Sequence, residues 1–389
     1  MMARLGDVCE IVSGTTPKSN VPEYWDGEIN WVTPAELNDD TTIIYESQRK
    51  ITECAVKDSS LKSFPAGTVI LSSRAPIGKV AIAGVEMYCN QGFKNLICSE
   101  KIYNKYLFWF LKGKTDFLNS LGRGATFKEI SKSIVENIDI PLPPIEKQKN
   151  CAVILDKLNE LISLRKEQLV KLDELIKARF VEMFGDLGIN SKNWPEISLV
   201  NGCSNPEDIK CGPFGTQLSK DEYQATGVPL WGIPQVNTQF KNPATDFLSE
   251  DKAKQLMAYS LISQDIVMSR KGNVGMCAIY PDCFGLGIIH SDVLRIRVNQ
   301  SCFNPYFLMW QLHISPRVSA QINVVSSGAI MAGINVTKLK NILVYNPPIN
   351  LQNNFATFCQ KEEKQKLTIQ QSLDKLEVLK KALMQEYFG

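Results

Sequence analysis

Histidine is almost missing: His290 and His313 are the only two in 389 residues. Two isolated imidazoles are a poor basis for a metal site or for His-based nucleophilic catalysis. The eleven Cys form no C-x-x-C pair, and their number is odd. They read as reduced thiols filling cores, not as a zinc site or a disulfide frame. No apolar run approaches the ~18 residues needed to cross a bilayer. Met1-Met2-Ala3-Arg4-Leu5-Gly6-Asp7 contains no apolar segment, so no signal peptide is read there, and a cytoplasmic chain without a membrane partner is expected. Neither charge sign dominates, since 43 basic residues face 41 acidic ones. A protein that coats DNA alone is usually more basic. Any nucleic-acid contact must therefore come from local patches or be shared with a partner. No G-x-x-x-x-G-K-[ST] phosphate loop occurs, because Gly78-Lys79 runs into Val80. Glu250-Asp251-Lys252 mimics a nuclease E-x-K but reads as a solvated charge run.

What is present is an internal repeat. Lys171-Leu172-Asp173-Glu174-Leu175-Ile176-Lys177-Ala178, followed by Phe184-Gly185, returns 204 positions later as Lys375-Leu376-Glu377-Val378-Leu379-Lys380-Lys381-Ala382 and Phe388-Gly389. The same shift takes Pro143-Pro144-Ile145 and Gln148 to Pro347-Pro348-Ile349 and Gln352. Upstream, a shift of 200 takes Trp31 to Trp231, Asn104 to Asn304, Tyr106 to Tyr306 and Phe110 to Trp310. A shift of 197 takes Gly78 to Gly275, within the stretches beginning Ser73-Arg74 and Ser269-Arg270. Order is kept while the offset drifts, as in two copies separated by small insertions: 1–185 and 186–389.

Each copy has two parts. Residues 1–142 and 186–346 carry short β-branched and aromatic runs broken by Gly and Pro, such as Gly67-Thr68-Val69-Ile70-Leu71 and Asp265-Ile266-Val267-Met268. They predict irregular α+β globules. Residues 143–185 and 347–389 predict long helices that start at the double prolines. Between Ile145 and Phe184 there is no Gly or Pro. At 100° per residue Ile154, Leu158, Leu161, Ile162, Leu169, Leu172, Leu175 and Ile176 share one side. Phe355, Phe358, Ile369, Leu373, Leu376, Leu379 and Leu383 repeat the stripe in the second helix. Packing of each helix on its own globule is one reading. Stripes this long and nearly heptad-like favour antiparallel pairing of the helices, with a globule at either end of the rod.

Two globules, each followed by a helix opening P-P-[LI]-x-x-Q, resemble the specificity subunit of a type I restriction–modification system. The resemblance includes Ile11-Val12-Ser13-Gly14-Thr15-Thr16-Pro17, Tyr24-Trp25, Ile29-Asn30-Trp31-Val32-Thr33, Ser73-Arg74 to Gly78-Lys79, and Pro143-Pro144-Ile145-Glu146-Lys147-Gln148. It departs at Asn350-Leu351-Gln352, and Trp194 has no counterpart in copy one, which is expected to lack a few residues of the family's start. The resemblance implies that each globule is a target recognition domain reading half of a split DNA site. The helices would set the spacer and carry modification subunits, two of them. It implies no catalysis and no cofactor in this chain, with S-adenosylmethionine and ATP/Mg on partner modification and restriction subunits. A related type IIB-like complex, an autonomous DNA methyltransferase or nuclease, and a coiled-coil adaptor are the alternatives. Asn346-Pro347-Pro348-Ile349 is near an adenine methyltransferase motif, but Ile cannot stack on a flipped base, and copy one has Leu142 in place of Asn. It reads as a helix start.

Polar residues in corresponding loops are the candidates for DNA contact: Thr16, Lys18, Arg74, Lys79, Gln91, Lys94, Arg123 and Lys128 in copy one, and Gln217, Gln235, Asn237, Arg270, Lys271, Asn273, His290 and Ser291 in copy two. Arg74 and Arg270 fit a structural ion pair as well as a phosphate clamp or a guanine reader. His290 could hydrogen-bond a base, although a lone His is more often packed. Trp31 and Trp231 share a framework slot and read as core.

Overall fold

The computed structural model describes residues 1–38, 41–123, 128–326 and 333–389. The chain divides into two units, Met1–Glu167 with Gln370–Gly389, and Gln168–Ile369. No helix among the described residues is long and apolar enough to cross a membrane.

The first unit is built on a sheet ordered Cys9–Ser13, Phe93–Cys98, Val69–Ser72, Val80–Ala83, Ile43–Ile44. Its strands pair antiparallel except for the last two, which are parallel. A smaller sheet places Trp25–Val32 between Lys50–Ile51 and Tyr88–Cys89, antiparallel to the former and parallel to the latter. Met2–Arg4 pairs with Asp139–Pro141, so the opening strand lies against the segment that leads into the first long helix. Val69–Leu71 and Val80–Ala83 are buried throughout, because strands inside a sheet covered on both faces need apolar residues without alternation. Helix Asn104–Lys112 covers one face, and every residue from Tyr106 to Leu111 is buried.

The second unit repeats this topology with its own edges. Ile209–Cys211, Val293–Ile296, Ile266–Ser269 and Cys277–Ile279 form one sheet in the same order. Val228–Trp231 lies between Asp246–Leu248, antiparallel, and Gly287–Ile289, parallel, with Ser260–Leu261 added at the edge. Glu196–Ser198 pairs with Leu343–Tyr345. The parallel pairings set Trp231 opposite Ile289 but Trp31 opposite Tyr88, and it is the Val32 carbonyl that accepts from the Asn90 N–H as the Trp231 carbonyl accepts from the His290 N–H, so the two tryptophans are one residue out of step. At 2% and 4% exposed both are core, but they do not share a slot. Trp194 donates its indole N–H to the Phe184 carbonyl at 2.8 Å.

The long helices are Ile145–Phe184 and Ile349–Phe388. Each is divided between the units. Cys151, Ala152 and Leu155 of the first helix join the first unit's core together with Phe388 of the second. Ile176, Phe180 and Phe184 of the first helix join the second unit's core beside Phe355 and Cys359. Within the first unit Asn159 meets Lys380 and Lys166 meets Glu377, so the segments run antiparallel. Within the second, Asp173 meets Lys366, and Phe180 meets Phe355 at 5.2 Å between ring centroids, again antiparallel.

The buried stripe differs from the one read at 100° per residue. Ile154, Leu161 and Leu175 are 44–46% exposed, and Leu379 is also exposed. Leu155 is fully buried instead. The inward positions are 151, 155, 158, 162, 165, 169, 172 and 176, a strict four–three alternation, and adding 204 to each gives the positions on the second helix. A 3.5-residue seam drifts ~20° per heptad from a straight helix, so a fixed 100° projection misassigns its flanks.

The helix starts explain the repeated glutamine. Gln148 and Gln352 are fully buried. Gln148 Oε1 accepts from the Tyr103 N–H at 2.8 Å, while Nε2 donates to the Lys101 and Pro143 carbonyls. Gln352 does the same with the Asn304 N–H and the Cys302 and Pro347 carbonyls. These bonds match Tyr103 with Asn304, a shift of 201, so Trp109 answers to Trp310 and the 200-residue matches of Tyr106 with Tyr306 and Phe110 with Trp310 are one residue out of step.

Candidate nucleic-acid interface

In the first unit, the strands ending at Ser13 and Ser72 and those starting at Val80 and Phe93 share one end of the large sheet. Their loops therefore emerge together. Gly14 lies so close to the Asn90 carbonyl that a Cβ would stand 1.9 Å from its oxygen, which only glycine permits. This close approach joins the Thr16 loop to the Gln91 loop, and the Thr16 hydroxyl donates to Gln91 Oε1. Lys18 is exposed beside them, and its carbonyl accepts from the Trp25 indole. The Lys79 ammonium donates to the Pro34 carbonyl at 3.2 Å.

Glu129 is the centre of the basic cluster, and the sequence reading passed over it. Its carboxylate accepts from Arg74 Nε at 2.8 Å and from Lys94 Nζ at 3.4 Å. Its backbone exchanges hydrogen bonds with Arg123 at 3.0 and 2.9 Å. Burial alone would raise this carboxyl, but the Arg74 hydrogen bond and the Lys94 and Arg74 charges outweigh it and hold it below the usual glutamate range. Arg74 keeps 43% of its side chain exposed, so an ion pair on one edge leaves its other nitrogens open. Lys94 is 5% exposed and turned inward to Ser73 and Glu129, which makes it a support for the loop. Lys128 and Arg123 are exposed.

The second unit brings the same end of its sheet together with different chemistry. Ser269 N–H bonds the Met276 carbonyl and Gly275 N–H bonds the Ser269 carbonyl, as Ser72 does with Lys79 and Gly78. The Arg270 carbonyl takes the Ile334 N–H, as the Ser73 carbonyl takes that of Ile130. Arg74 thus corresponds to Lys271, and the two Ser-Arg pairs are offset by one residue. Lys271 pairs with Asp292 at 2.7 Å. The acid that steadies the basic residue comes from the loop at 129 in one unit and from the turn at 292 in the other. No periodic signal marks either, although Asp292 directly follows His290-Ser291.

His290 Nδ1 accepts from the Asp292 N–H at 3.1 Å, which puts the ring proton on Nε2. Arg270 Nε donates to the Ile334 carbonyl at 3.1 Å, and its Nη1 reaches the Ser291 carbonyl at 3.4 Å. Asn237 and Asn273 are exposed, and Gln217 is exposed while accepting from the Tyr259 hydroxyl at 3.0 Å. Gln235 stands apart from these. It is 2% exposed, its Oε1 accepts from the Gly232 N–H and its Nε2 donates to the Pro243 carbonyl. Its amide is fully engaged in holding helix Ile233–Asn237. No cluster of three potential metal ligands exists among the described residues.

Residues 1–174 match a family described as the type I restriction modification DNA specificity domain. The chain is 38% identical over 194 residues to the MjaIX specificity subunit of Methanocaldococcus jannaschii, across 49% of this chain and 42% of that one. It is 31% identical over 190 residues to the EcoR124I/EcoR124II specificity subunit of Escherichia coli, across 47% of this chain and 46% of that one. Each alignment thus takes in less than half of the relative's length. The crystal structure of a type I restriction–modification S subunit from M. genitalium superposes with a TM-score of 0.62 at 15% identity, over all of this chain and 96% of that one, and so shares the fold. Repeated topology and paired helix starts agree with these likenesses: residues 1–174 match the type I restriction modification DNA specificity domain, and the chain is similar to specificity subunits of type I restriction–modification systems.

Proposed function

We propose that this chain is a sequence-specific DNA-binding subunit without catalysis of its own, the reading member of a cytoplasmic type I restriction–modification complex. Residues 1–142 and 186–346 act as target recognition domains, each reading half of a bipartite site. Residues 143–185 and 347–389 set the spacer and dock two modification subunits, which bring S-adenosylmethionine. A restriction subunit brings ATP and Mg. The observation that carries this reading is the pair of equivalent sheet ends, each with a basic residue steadied by a carboxylate, Arg74 with Glu129 and Lys271 with Asp292. Such steadied donors suit phosphate oxygens and base edges. The different acids and neighbours at the two ends suit two different half-sites. Of the sixteen candidate contacts, Gln235 and Lys94 fit a supporting role and the others a direct one.

The test is a DNA-binding assay on the purified chain with and without modification subunits, joined to mapping of methylated adenines in cells that carry the complex. A two-part motif with a fixed gap, changed in one half only when residues 186–346 are exchanged for those of a relative, supports the proposal. A motif without a gap, or S-adenosylmethionine binding by this chain alone, refutes it.

A further inference from the structure

The first unit contains a cleft of about 790 Å³ that shares only the Pro76–Lys79 turn with the reading loops. One wall is the Pro76–Lys79 turn, another is the segment around Gly113, and the floor is formed by parts of both long helices that belong to this unit. Five lysines line it, Lys79, Lys112, Lys166, Lys380 and Lys381, against one carboxylate, Glu377, among the described lining residues. The volume is that of a small-ligand site.

Two observations separate this cleft from an ordinary solvated face. First, several ammonium groups are held in place. Lys380 donates to Asn159 at 2.6 Å and lies 5.0 Å over the Trp109 ring, Lys79 is tied to the Pro34 carbonyl, and Lys166 meets Glu377 at 3.3 Å. Second, the fold does not require lysine at four of these five positions. At the equivalent positions the second unit has Met276 for Lys79, His313 for Lys112, Gln370 for Lys166, Ile176 for Lys380 and Phe180 for Met384, with Ile176 and Phe180 fully buried, and keeps a lysine only as Lys177 for Lys381. Helix packing there is completed by apolar side chains. In the first unit Gly113 replaces Ile314, and like charges gather around an open space. Ammonium groups brought together in a concave surface focus a positive field, and an anion with several charges relieves their mutual repulsion.

We infer that this cleft binds a run of phosphates. Two sources carry that chemistry, the sugar–phosphate backbone of DNA and the chain of a nucleoside triphosphate. Only the first rests on the DNA-reading role proposed above. Lys112 comes from the globule and Lys381 from the second long helix, and Thr115 lies on the same lining.

Calorimetric titration of the full-length chain with inorganic tripolyphosphate at low salt tests the inference. One-to-one saturable binding is expected, weakened at least tenfold in Lys112→Gln/Lys381→Gln. Thr115→Glu adds a carboxylate to the same space and should weaken it comparably, whereas Lys57→Gln, outside the cleft, should not. Two further arms separate the sources. If DNA phosphates occupy the cleft, the slope of log K against log salt for a short duplex becomes shallower by about two in the double variant, at ~0.9 per phosphate contact. If a free nucleotide occupies it, ATP displaces tripolyphosphate and the duplex slope is unchanged. The inference is overturned if the wild type shows neither saturable tripolyphosphate binding nor a slope that depends on these lysines. It is also overturned if variants with unaltered circular dichroism and melting bind tripolyphosphate as tightly as the wild type. Should the double variant misfold, Thr115→Glu decides alone. Loss of bipartite DNA reading with tripolyphosphate binding retained would count against the proposed function and leave the cleft standing.

Discussion

Replacing Gln148 by Met removes three hydrogen bonds while nearly preserving volume. The Tyr103 N–H and the Lys101 and Pro143 carbonyls lose their partner at a position with no solvent exposure. Each net bond is worth about 1 kcal/mol, and stranded buried groups add to that. The expected cost is therefore about 3 kcal/mol, and more if no water enters. In a unit of 150–250 residues, 1 kcal/mol moves Tm by roughly 2–4 °C. A fall of about 6–12 °C in the first transition is expected. Urea unfolding gives the free energy, and hydrogen exchange gives the place, because the Tyr103 amide should lose protection before the sheet does. Gln148→Glu should be at least as harmful, since a carboxylate cannot donate to two carbonyls. Gln352→Met should act alike in the second unit, at the Asn304 amide. If Gln148→Met costs less than about 1 kcal/mol and Tyr103 stays protected, the glutamine is no clamp and the shared P-P-I-x-x-Q pattern needs another cause.

Deleting one heptad from each helix, 164–170 with 368–374, should keep the seam in register and shorten it by ~10 Å at 1.5 Å per residue. At 3.4 Å per base pair, the preferred spacer should contract by about three base pairs with unchanged half-sites, as read by selection from random duplexes; an unchanged gap would assign the spacing to partner subunits. Arg74→Ala should lose ~1–3 kcal/mol of binding and relax one base position if it reads a base, whereas equal weakening on every sequence would make it a phosphate contact. Glu129 is held below its ordinary range, so its contribution is complete above the unfolded glutamate value and is lost as pH falls through the lower folded one. Acid titration of first-unit stability should show this, and Glu129→Gln should flatten it. Burial, with Lys177 nearby, pushes His313 down, so its unprotonated Nε2 accepts from the Cys277 N–H. The second unit should weaken as pH drops below the ordinary His value of 6.5, and His313→Gln should remove that dependence.

Much of the architecture could be read from sequence because it is written twice. Double prolines, a distant glutamine and the terminal Phe-Gly each recur, and the two helices lie where those signals place them. The buried face was harder, since Leu155 and Ile154 are neighbours and only a 3.5-residue period chooses between them. The loops were read less well. Ser73-Arg74 and Ser269-Arg270 look aligned as letters, yet backbone hydrogen bonds set them one residue apart. Glu129 reaches Arg74 across 55 residues, and nothing local in the sequence announces a partner at that distance. Gln235 resembled a base reader because amides suit adenine, but its neighbours Gly232 and Pro243 already occupy both ends of it.

The division of the long helices has a consequence for biosynthesis. Phe388 packs on Tyr106 and Phe110, residues made some 280 positions earlier. At ~5–20 residues per second, the roughly 200 residues of the intervening unit take about 10–40 s to emerge. Throughout that interval the globule that leaves the ribosome first waits with part of its apolar core open. The unit begun first is the one finished last, which makes its nascent form a natural client for chaperones and places the cost of a truncated message on the half already made.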